Sequence, residues 1–219
     1  MVRNNIRYAE IFHSVQGEGQ NVGLNTIFLR LSGCNLQCEF CDSKYHTEGI
    51  TIALVELAKL IGTFPTMSLT ITGGEPLLQQ ENIVRLGNLV NHVISIETNG
   101  TVIPRKELLN RVTYWACSPK LGNSGNDLDK RMNYNALEAL NKAGAMFKFV
   151  ISTEADVEEV LFLQDQINIP STRIYLMPEG TELEEINKKA PMVVELCKKY
   201  GFNFSPRLHI NMWGSKRGV

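Results

Sequence analysis

Apolar runs along this chain alternate with amphipathic stretches, in a repeated order of strand and then helix. The first clear run, TIFLRLSG from Thr26, is continuous enough to be a strand buried on both faces. Six further runs follow, and each comes after a segment with helical spacing: SLTITGGEP, VISIETNG, VTYWACSPK, AMFKFVIS, RIYLMPEG and FNFSPRLHI. The pattern predicts seven parallel strands joined by crossover helices.

The stretches between these runs place apolar residues three and four positions apart, as amphipathic helices do. They are IALVELAKLIGTF from Ile52, the stretch from Gln80 to His92, a short segment after Pro104, NYNALEALNKAG, ADVEEVLFLQDQIN and LEEINKKAPMVVELCKKYG. In the last helix, Pro191 is expected to introduce a kink or to split the helix in two.

Seven strands favour an α/β fold that is an incomplete, splayed TIM-type barrel. A complete eightfold barrel usually needs about 250 residues, and this chain has 219. A doubly wound open sheet is the alternative. No linker or low-complexity run divides the sequence, so a single domain over residues 1–219 is expected.

Composition narrows the class of protein. Hydrophobic residues make up 43% and charged residues 21%, which is ordinary for a soluble globular protein. The formal net charge of −1 gives no reason to expect nucleic-acid binding. The beginning of the chain, MVRNNIRYAEIFHS, lacks the apolar core of a signal peptide, and no segment approaches membrane-spanning length. A cytoplasmic location is therefore expected.

The chemically interesting residues follow the predicted strands, in SGCNLQCEFC, TGGEP, ETNG, CSPK and MPEG. Loops at the carboxyl ends of parallel strands meet at one edge of the sheet, in a barrel as in an open sheet. These loops are therefore expected to build one composite active site.

Three of the five cysteines lie within eight positions, which makes a poor disulfide framework. Cys34, Cys38 and Cys41 have the spacing C-x3-C-x2-C, and thiolates are soft ligands for iron–sulfur clusters, zinc or cuprous copper. A four-iron cluster usually takes four cysteine ligands, so three would leave one iron open. The alternative is a closed structural zinc site completed by a ligand such as His46.

The cysteine spacing, followed one βα unit later by TGGEP, resembles the radical S-adenosylmethionine (SAM) family. The resemblance implies a [4Fe–4S] cluster on the three cysteines, whose open iron chelates the amino and carboxylate groups of SAM. It also implies that the turn at Gly73 and Gly74 binds SAM, and glycine permits that close approach. Phe40 would lie near the adenine. Cys117, within a strand, and Cys197, at helical spacing, are expected to be core thiols.

The segment FHSVQGEGQNVGLNTIFLRLSGCNLQCEFCD resembles the opening of the 7-carboxy-7-deazaguanine synthases. Agreement in TGGEP, ETNG and SPK extends the resemblance from about Glu10 to Lys120, and it continues more weakly into PRLHI. It implies conversion of 6-carboxy-5,6,7,8-tetrahydropterin to 7-carboxy-7-deazaguanine and ammonia, on the route to queuosine-type bases. A 5′-deoxyadenosyl radical from SAM would take hydrogen from C6 and later recover it, so that SAM is regenerated.

The resemblance also implies a substrate-binding set. Arg30 offers a planar fork for the pterin carboxylate, with a structural ion pair as the alternative. Glu18 and Thr72 are weaker candidates, since acids in such a loop are usually solvated and a satisfied strand hydroxyl is the alternative for Thr72. Arg207 and His209 alternate on the predicted terminal strand and so share a face; a structural histidine is the alternative for His209. The implied set is Val15, Gln16, Gly17, Glu18, Arg30, Thr72 and His209. The terminal SKRGV is either frayed or covers the substrate with its carboxylate.

A second implied set binds SAM and magnesium. Ser43 occupies the position of the family's magnesium ligand, usually threonine, and supplies a hard oxygen. Ser118 and Pro119 equally fit a plain strand exit, and Lys120 equally fits a surface position. The SAM set is Phe40, Cys41, Asp42, Gly74, Glu97, Asn99, Ser118, Pro119 and Lys120.

Partners and rivals complete the interpretation. The resemblance implies a flavodoxin- or ferredoxin-like electron donor and a homodimer. A small activase that installs a glycyl radical on a partner protein is the rival within radical SAM enzymes, although it has no need of QGEG or Arg30. A zinc-stabilised binding module without catalysis is the rival from another class, and the identity of the bound metal distinguishes the two.

Overall fold

The computed structural model describes residues 4–43 and 47–219, so His46 lies outside the described residues. The strands are β1 (Asn5–Val15), β2 (Asn25–Leu31), β3 (Ile50–Ala53), β4 (Ser68–Gly73), β5 (Val93–Thr98), β6 (Tyr114–Cys117), β7 (Met146–Ile151), β8 (Ile174–Pro178) and β9 (Asn203–Phe204). The α-helices are α1 (Leu54–Ile61), α2 (Gln80–Gly87), α3 (Lys106–Arg111), α4 (Leu128–Arg131), α5 (Tyr134–Lys142), α6 (Asp156–Ile167), α7 (Leu183–Tyr200) and α8 (Leu208–Trp213).

Within the described ranges the strands form one nine-stranded sheet in the order β3-β1-β2-β4-β5-β6-β7-β8-β9. From β2 onward each strand pairs in parallel with the next in that order. These are the seven strands that the apolar runs predict. A doubly wound sheet reverses its strand order at a switch point, whereas this order follows the chain from β2 to β9. The architecture is the predicted incomplete barrel.

Two strands lie outside the prediction. β1 runs antiparallel to β2, and β3 pairs with the beginning of β1. β1 has the sequence NIRYAEIFHSV, in which polar residues interrupt the apolar ones, so it has no continuous apolar run. The four residues of β3 lead directly into α1, and their apolar positions merge with its helical pattern.

The helices agree with the predicted stretches, apart from their ends. α7 continues through Pro191 for 18 residues, so of the two alternatives for this proline, a kink or a split, the split does not occur. α4 and α8 had no counterpart in the prediction. Of the described helices, none is long and apolar enough to cross a membrane. Cys117 and Cys197 are buried in the core, as predicted.

The terminal strand is much shorter than predicted. Only Asn203–Phe204 pairs with β8, and Pro206, which has no N–H to donate, follows soon after. Arg207 precedes α8, and His209 lies inside that helix. The prediction that these two side chains alternate on a strand is therefore wrong. The Leu208 N–H instead donates to the Gly17 carbonyl at 2.9 Å. This contact brings α8 against the loop between β1 and β2, residues 16–24, which is called the N-terminal loop below.

Side chains alternate between the two faces of each strand, so that one face packs in the core and the other lines the site. Residues such as Phe147 and Phe149 on β7 are fully buried in the hydrophobic core that also contains helix residues, whereas Lys148 between them lines a cavity on the other face. The cavity-facing side chains of the strands include Glu10, Phe12, Phe28, Arg30, Thr72, Glu97, Lys148, Val150 and Met177.

Candidate active site

A cavity of about 370 Å³ lies at the carboxyl ends of the parallel strands. It brings together nearly every site residue that the sequence predicts: Val15, Gln16, Gly17, Glu18, Arg30, Cys34, Cys38, Phe40, Cys41, Asp42, Ser43, Thr72, Gly74, Glu97, Asn99, Ser118, Lys120 and His209. Pro119 is buried and is not among the lining residues. The cavity is therefore a composite of the strand-end loops and the N-terminal loop.

The three cysteines of the loop after β2 are free, half-buried thiols on one wall of this cavity. The Leu36 N–H donates to Cys34 Sγ at 3.4 Å. Burial raises the pKa of Cys34 and of Cys41, and bound metal opposes this because coordinating thiols are deprotonated. Three thiols that line one cavity fit the ligand set of an iron–sulfur cluster with one open iron. Among residues 4–43 and 47–219, no group of three or more His, Cys, Asp or Glu is arranged to hold a single metal ion.

The turn after β4 packs directly on the cysteine loop. A Cβ added to Gly74 would lie 2.2 Å from the Gly33 oxygen and 2.7 Å from Cys34 Cβ, so no side chain fits there. The Glu75 N–H donates to the Gly33 carbonyl at 2.9 Å. This contact places the backbone of the turn beside the cysteines, as SAM binding would require.

Glu75 ties that turn to the loop after β5. Its fully buried carboxylate accepts hydrogen bonds from Leu77 N at 2.8 Å, Thr98 Oγ1 at 2.8 Å and Asn99 N at 2.7 Å. Burial raises the pKa of Glu75, although the donors partly oppose it. The sequence analysis gave this residue no separate role. An acid placed between a glycine turn and proline was the available signal.

Side chains in the ETNG and SPK loops are held by local hydrogen bonds. Asn99 Nδ2 donates to Asn35 Oδ1 at 3.1 Å, and Thr101 N donates to Asn99 Oδ1 at 2.9 Å. Lys120 Nζ donates to the Ser118 carbonyl and to Ser118 Oγ, both at 2.9 Å. Asn99 thus links its loop to the cysteine loop, while Lys120 presents a cation at the cavity.

The N-terminal loop lies between β5 and α8. Gln16 Nε2 donates to Glu97 Oε1 at 2.9 Å, and Gln16 Oε1 accepts from Glu18 N at 3.1 Å. A Cβ on Gly17 would lie 2.1 Å from His209 Nδ1, so this position requires glycine for close approach. Burial lowers the pKa of His209. A neutral imidazole therefore packs against the loop at neutral pH.

An ion network that is buried except at Asp42 joins this loop to the cysteine loop. Glu18 accepts hydrogen bonds from Lys148 Nζ and, at 3.0 Å, from Arg207 Nε. Arg207 also donates to Asp42 and to the Gly180 carbonyl. Burial alone would raise the pKa of Glu18, but Lys148 and Arg207 together outweigh it and hold that pKa well below its usual range. Arg207 likewise lowers the pKa of Asp42 against the effect of burial.

Sequence reasoning missed Lys148 and gave Arg207 no role in the site. For Lys148 the available signal was a lone charge inside the apolar strand AMFKFVIS. Its side chain is only 11% exposed, and burying a lysine requires an anionic partner. The partner, Glu18, is 130 residues away in the sequence. Neither residue by itself reveals the pair.

Arg30 takes part in a second chain of contacts. Its Nε donates to Glu10 Oε1 at 2.7 Å, and its Nη1 donates to Ser43 Oγ at 3.1 Å. Ser43 Oγ donates to Asp42 Oδ1 at 2.9 Å, while Arg217 Nε donates to Glu10 Oε2 at 2.9 Å. The structural ion pair that was the alternative role for Arg30 is therefore present. Arg30 also lines the cavity.

The remaining walls are apolar or come from the end of the chain. The Phe12 and Phe28 rings stack with centroids 5.2 Å apart, and both line the cavity. Residues 214–219 also line it, so the end of the chain forms part of the cavity wall. One cavity thus combines thiols, oppositely charged side chains, amide groups and an aromatic wall.

Comparisons with known proteins agree with this geometry. The family described as the Radical SAM superfamily matches residues 29–148. The chain is 35% identical to the 7-carboxy-7-deazaguanine synthase of Pyrobaculum aerophilum, over 97% of each chain. It is 35% identical to the synthase of the same name from Hyperthermus butylicus, over 94% of this chain and 92% of that protein. The synthase of Rhodopirellula baltica is 32% identical over 96% and 88%.

Two solved structures share the fold. QueE from Escherichia coli superposes with a TM-score of 0.74 over 94% of this chain and 95% of its own, at 24% sequence identity. Streptococcus suis SuiB bound to the precursor peptide SuiA superposes with a TM-score of 0.52, covering 78% of this chain and 46% of its own, at 14% identity. At these identities the likeness concerns the fold alone.

Proposed function

The chain belongs to the radical SAM superfamily and to its 7-carboxy-7-deazaguanine synthases, and on this premise we propose that it converts 6-carboxy-5,6,7,8-tetrahydropterin into 7-carboxy-7-deazaguanine and ammonia. The observation that carries the proposal is the contact of the N-terminal loop with the cysteine loop through Arg207. Glu18 and Asp42 bind the same guanidinium. A residue expected to bind the pterin and a residue expected to bind SAM therefore contact the same side chain.

The cofactors of this enzyme are a [4Fe–4S] cluster and SAM. Cys34, Cys38 and Cys41 would hold the cluster, and the chemistry it supplies is one-electron cleavage of SAM to a carbon radical. Gly74 fits the SAM amino group through its backbone, and Lys120 can pair with the SAM carboxylate. The SAM set further includes Phe40, Asp42, Glu97, Asn99 and Ser118.

On the opposite side, the chain's own residues bind and orient the pterin. The contacts to Glu10 and Ser43 fix the guanidinium plane of Arg30, which suits a carboxylate. Gln16 and the backbone of Val15 and Gly17 fit the amide edge of the ring. Thr72 and His209 complete the set.

Glu18 is the acceptor proposed for the ring N–H groups of the pterin. Lys148 and Arg207 keep its pKa low, so it remains an acceptor throughout the physiological range. The two cations also compensate its burial, and the ordered carboxylate needs no reorganisation when the pterin binds. The segment 214–219 and the apolar pair Phe12 and Phe28, which line the cavity, help to exclude water.

Magnesium is proposed to bind at Ser43. The Ser43 hydroxyl lies 2.9 Å from the Asp42 carboxylate, and both supply hard oxygens of the kind that magnesium prefers. Ser43 has the oxygen of the usual threonine without its methyl group. Arg30 Nη1 donates to the same hydroxyl, so this contact would have to open for a divalent cation to bind.

Further proposals concern organisation and partners. A flavodoxin- or ferredoxin-like protein would supply the electron, and the active form would be a homodimer in the cytoplasm. The family resemblance supports these proposals. The single-domain organisation of residues 1–219 remains a prediction. The name shared by the relatives favours a synthase over a glycyl-radical activase.

An anaerobic turnover experiment tests the function. The protein is reconstituted with iron and sulfide, then supplied with SAM, magnesium, reductant and the carboxytetrahydropterin. Mass spectrometry should detect 7-carboxy-7-deazaguanine over many turnovers, with SAM largely preserved. A protein that holds its cluster and slowly cleaves SAM but leaves the pterin unchanged would refute the substrate assignment. Omitting magnesium in a parallel reaction tests the proposed metal.

A further inference from the structure

Two of the three cysteine sulfurs accept N–H groups from different sources. Cys34 Sγ accepts from the Leu36 backbone at 3.4 Å, two residues further along the same loop. Cys38 Sγ instead accepts from the side-chain amide of Asn126 at 3.3 Å, across 88 positions of sequence.

Asn126 also holds the backbone beside Cys38. The Gln37 N–H donates to Asn126 Oδ1 at 2.9 Å. On the other side of Cys38, the Glu39 N–H donates to the Ser124 carbonyl at 3.0 Å. The N–H groups before and after the middle cysteine are therefore both anchored to the segment 124–126, which lies in the connection between β6 and β7.

This anchor is itself ordered. Ser124 is fully buried, and its Oγ accepts from Asn126 Nδ2 at 3.2 Å. Gly125 has a left-handed φ of +74°, and a Cβ there would lie 2.5 Å from Glu39 Oε1, so the segment fits closely against the cysteine loop. Because the oxygen of the Asn126 amide must face the Gln37 N–H, its nitrogen faces the sulfur. Its orientation thus follows from hydrogen bonding.

We propose that Asn126 is a positioning residue for the iron–sulfur cluster, with two separable actions. Its carbonyl oxygen fixes the cysteine loop through Gln37. Its amide nitrogen donates to the Cys38 sulfur and raises the reduction potential of the cluster, because the donor stabilises the negative charge added on reduction. The inference rests on cluster ligation by the three cysteines in the proposed function, and it is independent of the substrate.

Two substitutions separate these actions. Asn126→Asp keeps the size of the side chain and the acceptor for Gln37 but loses the N–H donor to Cys38 and to Ser124. The backbone N–H of residue 126 still reaches Ser124 Oγ. Asn126→Leu loses both the acceptor and the donor without adding charge. Each variant and the wild-type chain are reconstituted anaerobically, their iron and sulfide content is measured, and the midpoint potential is determined by reductive titration followed by EPR, without pterin.

The expected result is a more negative midpoint potential in both variants. Asn126→Asp should retain the wild-type iron content, and Asn126→Leu should retain less because the loop has lost its anchor. If Asn126→Leu holds no cluster at all, the potential of Asn126→Asp decides the result. A wild-type potential in Asn126→Asp would overturn the role of the sulfur hydrogen bond.

Asn133→Asp is the matched control for charge. Asn133 Oδ1 accepts from Ala136 N at 3.2 Å at the start of α5, which aspartate can also do. Asn133 Nδ2 donates to the Thr101 carbonyl at 2.9 Å, so this control, like Asn126→Asp, adds a charge and loses an amide donor, but not one to a cysteine sulfur. Equal shifts in Asn126→Asp and Asn133→Asp, with no shift in Asn126→Leu, would mean that only added charge matters and would overturn the proposal. Failure of wild-type chain to bind any cluster would overturn it together with the ligand assignment. Failure to convert the pterin alone would leave it standing.

Discussion

The two walls of the cavity are built in different ways. The cluster wall uses neutral N–H donors, such as Leu36 N on Cys34 and the Asn126 amide on Cys38. The substrate wall uses buried charges from distant segments, with Glu18 between Lys148 and Arg207. Neutral donors cost little to bury once they are paired, whereas charges are stable only when every partner is in place. The comparison predicts that a single substitution lowers the folding stability only slightly on the cluster wall and strongly on the substrate wall.

Removal of a cluster ligand should have the largest effect on function and little effect on the fold. Cys38→Ser is expected to abolish turnover and to reduce iron content, because the thiolate is a ligand. Circular dichroism of the protein without cluster should match that of the wild-type chain. Cys197→Ser is the control, since that buried thiol donates to the Asn203 carbonyl and lies away from the cavity lining. Equal iron loss in both variants would contradict the ligand assignment.

The substrate wall should respond to Arg207→Met with a large loss of folding stability. The change leaves the buried Glu18 with one cation fewer, and removing one partner of a buried pair costs about 3–5 kcal/mol. The lower end applies here, because Asp42, the other partner, is 46% exposed. The free energy of unfolding from urea denaturation measures the effect.

Lys198→Met supplies the comparison, since the Lys198–Glu195 pair is exposed. Such pairs contribute about 0–1 kcal/mol. Similar losses of unfolding free energy in Arg207→Met and Lys198→Met would contradict the prediction that the substrate wall is the more sensitive of the two.

Lowering the pH should also reduce the folding stability that the substrate wall contributes, but more gradually than Arg207→Met does. The pKa of Glu18 is lower in the folded chain than its ordinary value of 4.5. Its contribution to stability is therefore fully present above about pH 4.5 and is lost as the pH falls towards the folded pKa. Unfolding free energies measured between pH 7 and pH 3 should decline less in Glu18→Gln than in the wild-type chain. Parallel curves would show that Glu18 does not contribute this dependence.

The smallest of these effects should come from Arg30→Lys, which keeps the charge but loses the planar fork. With one charge-assisted hydrogen bond lost, worth about 1.5–3 kcal/mol, kcat/KM should fall roughly 10- to 100-fold. The effect should appear mainly in KM if Arg30 binds the pterin carboxylate. An unchanged KM with an altered unfolding free energy would assign Arg30 to the ion pair with Glu10 alone.

Much of the scaffold was predictable because its signals are local. Each parallel strand is an apolar run, and the cysteine spacing and TGGEP lie within short stretches. β1 escaped prediction because the residues that face the cavity, such as Glu10, interrupt its apolar pattern. The terminal strand was overestimated because Pro206 and the contact of Leu208 with Gly17 turn the chain into α8.

The sequence by itself determined the order of strands and helices, the cysteine ligands proposed for the cluster and the family resemblance. The tertiary structure alone decided the partners of Lys148, Arg207 and Asn126. Each of these side chains has a polar group that must find a complement when it is buried, and the complement lies up to 189 positions away. Local pattern predicts which residues are buried, but only the packing of the sheet decides which distant groups meet.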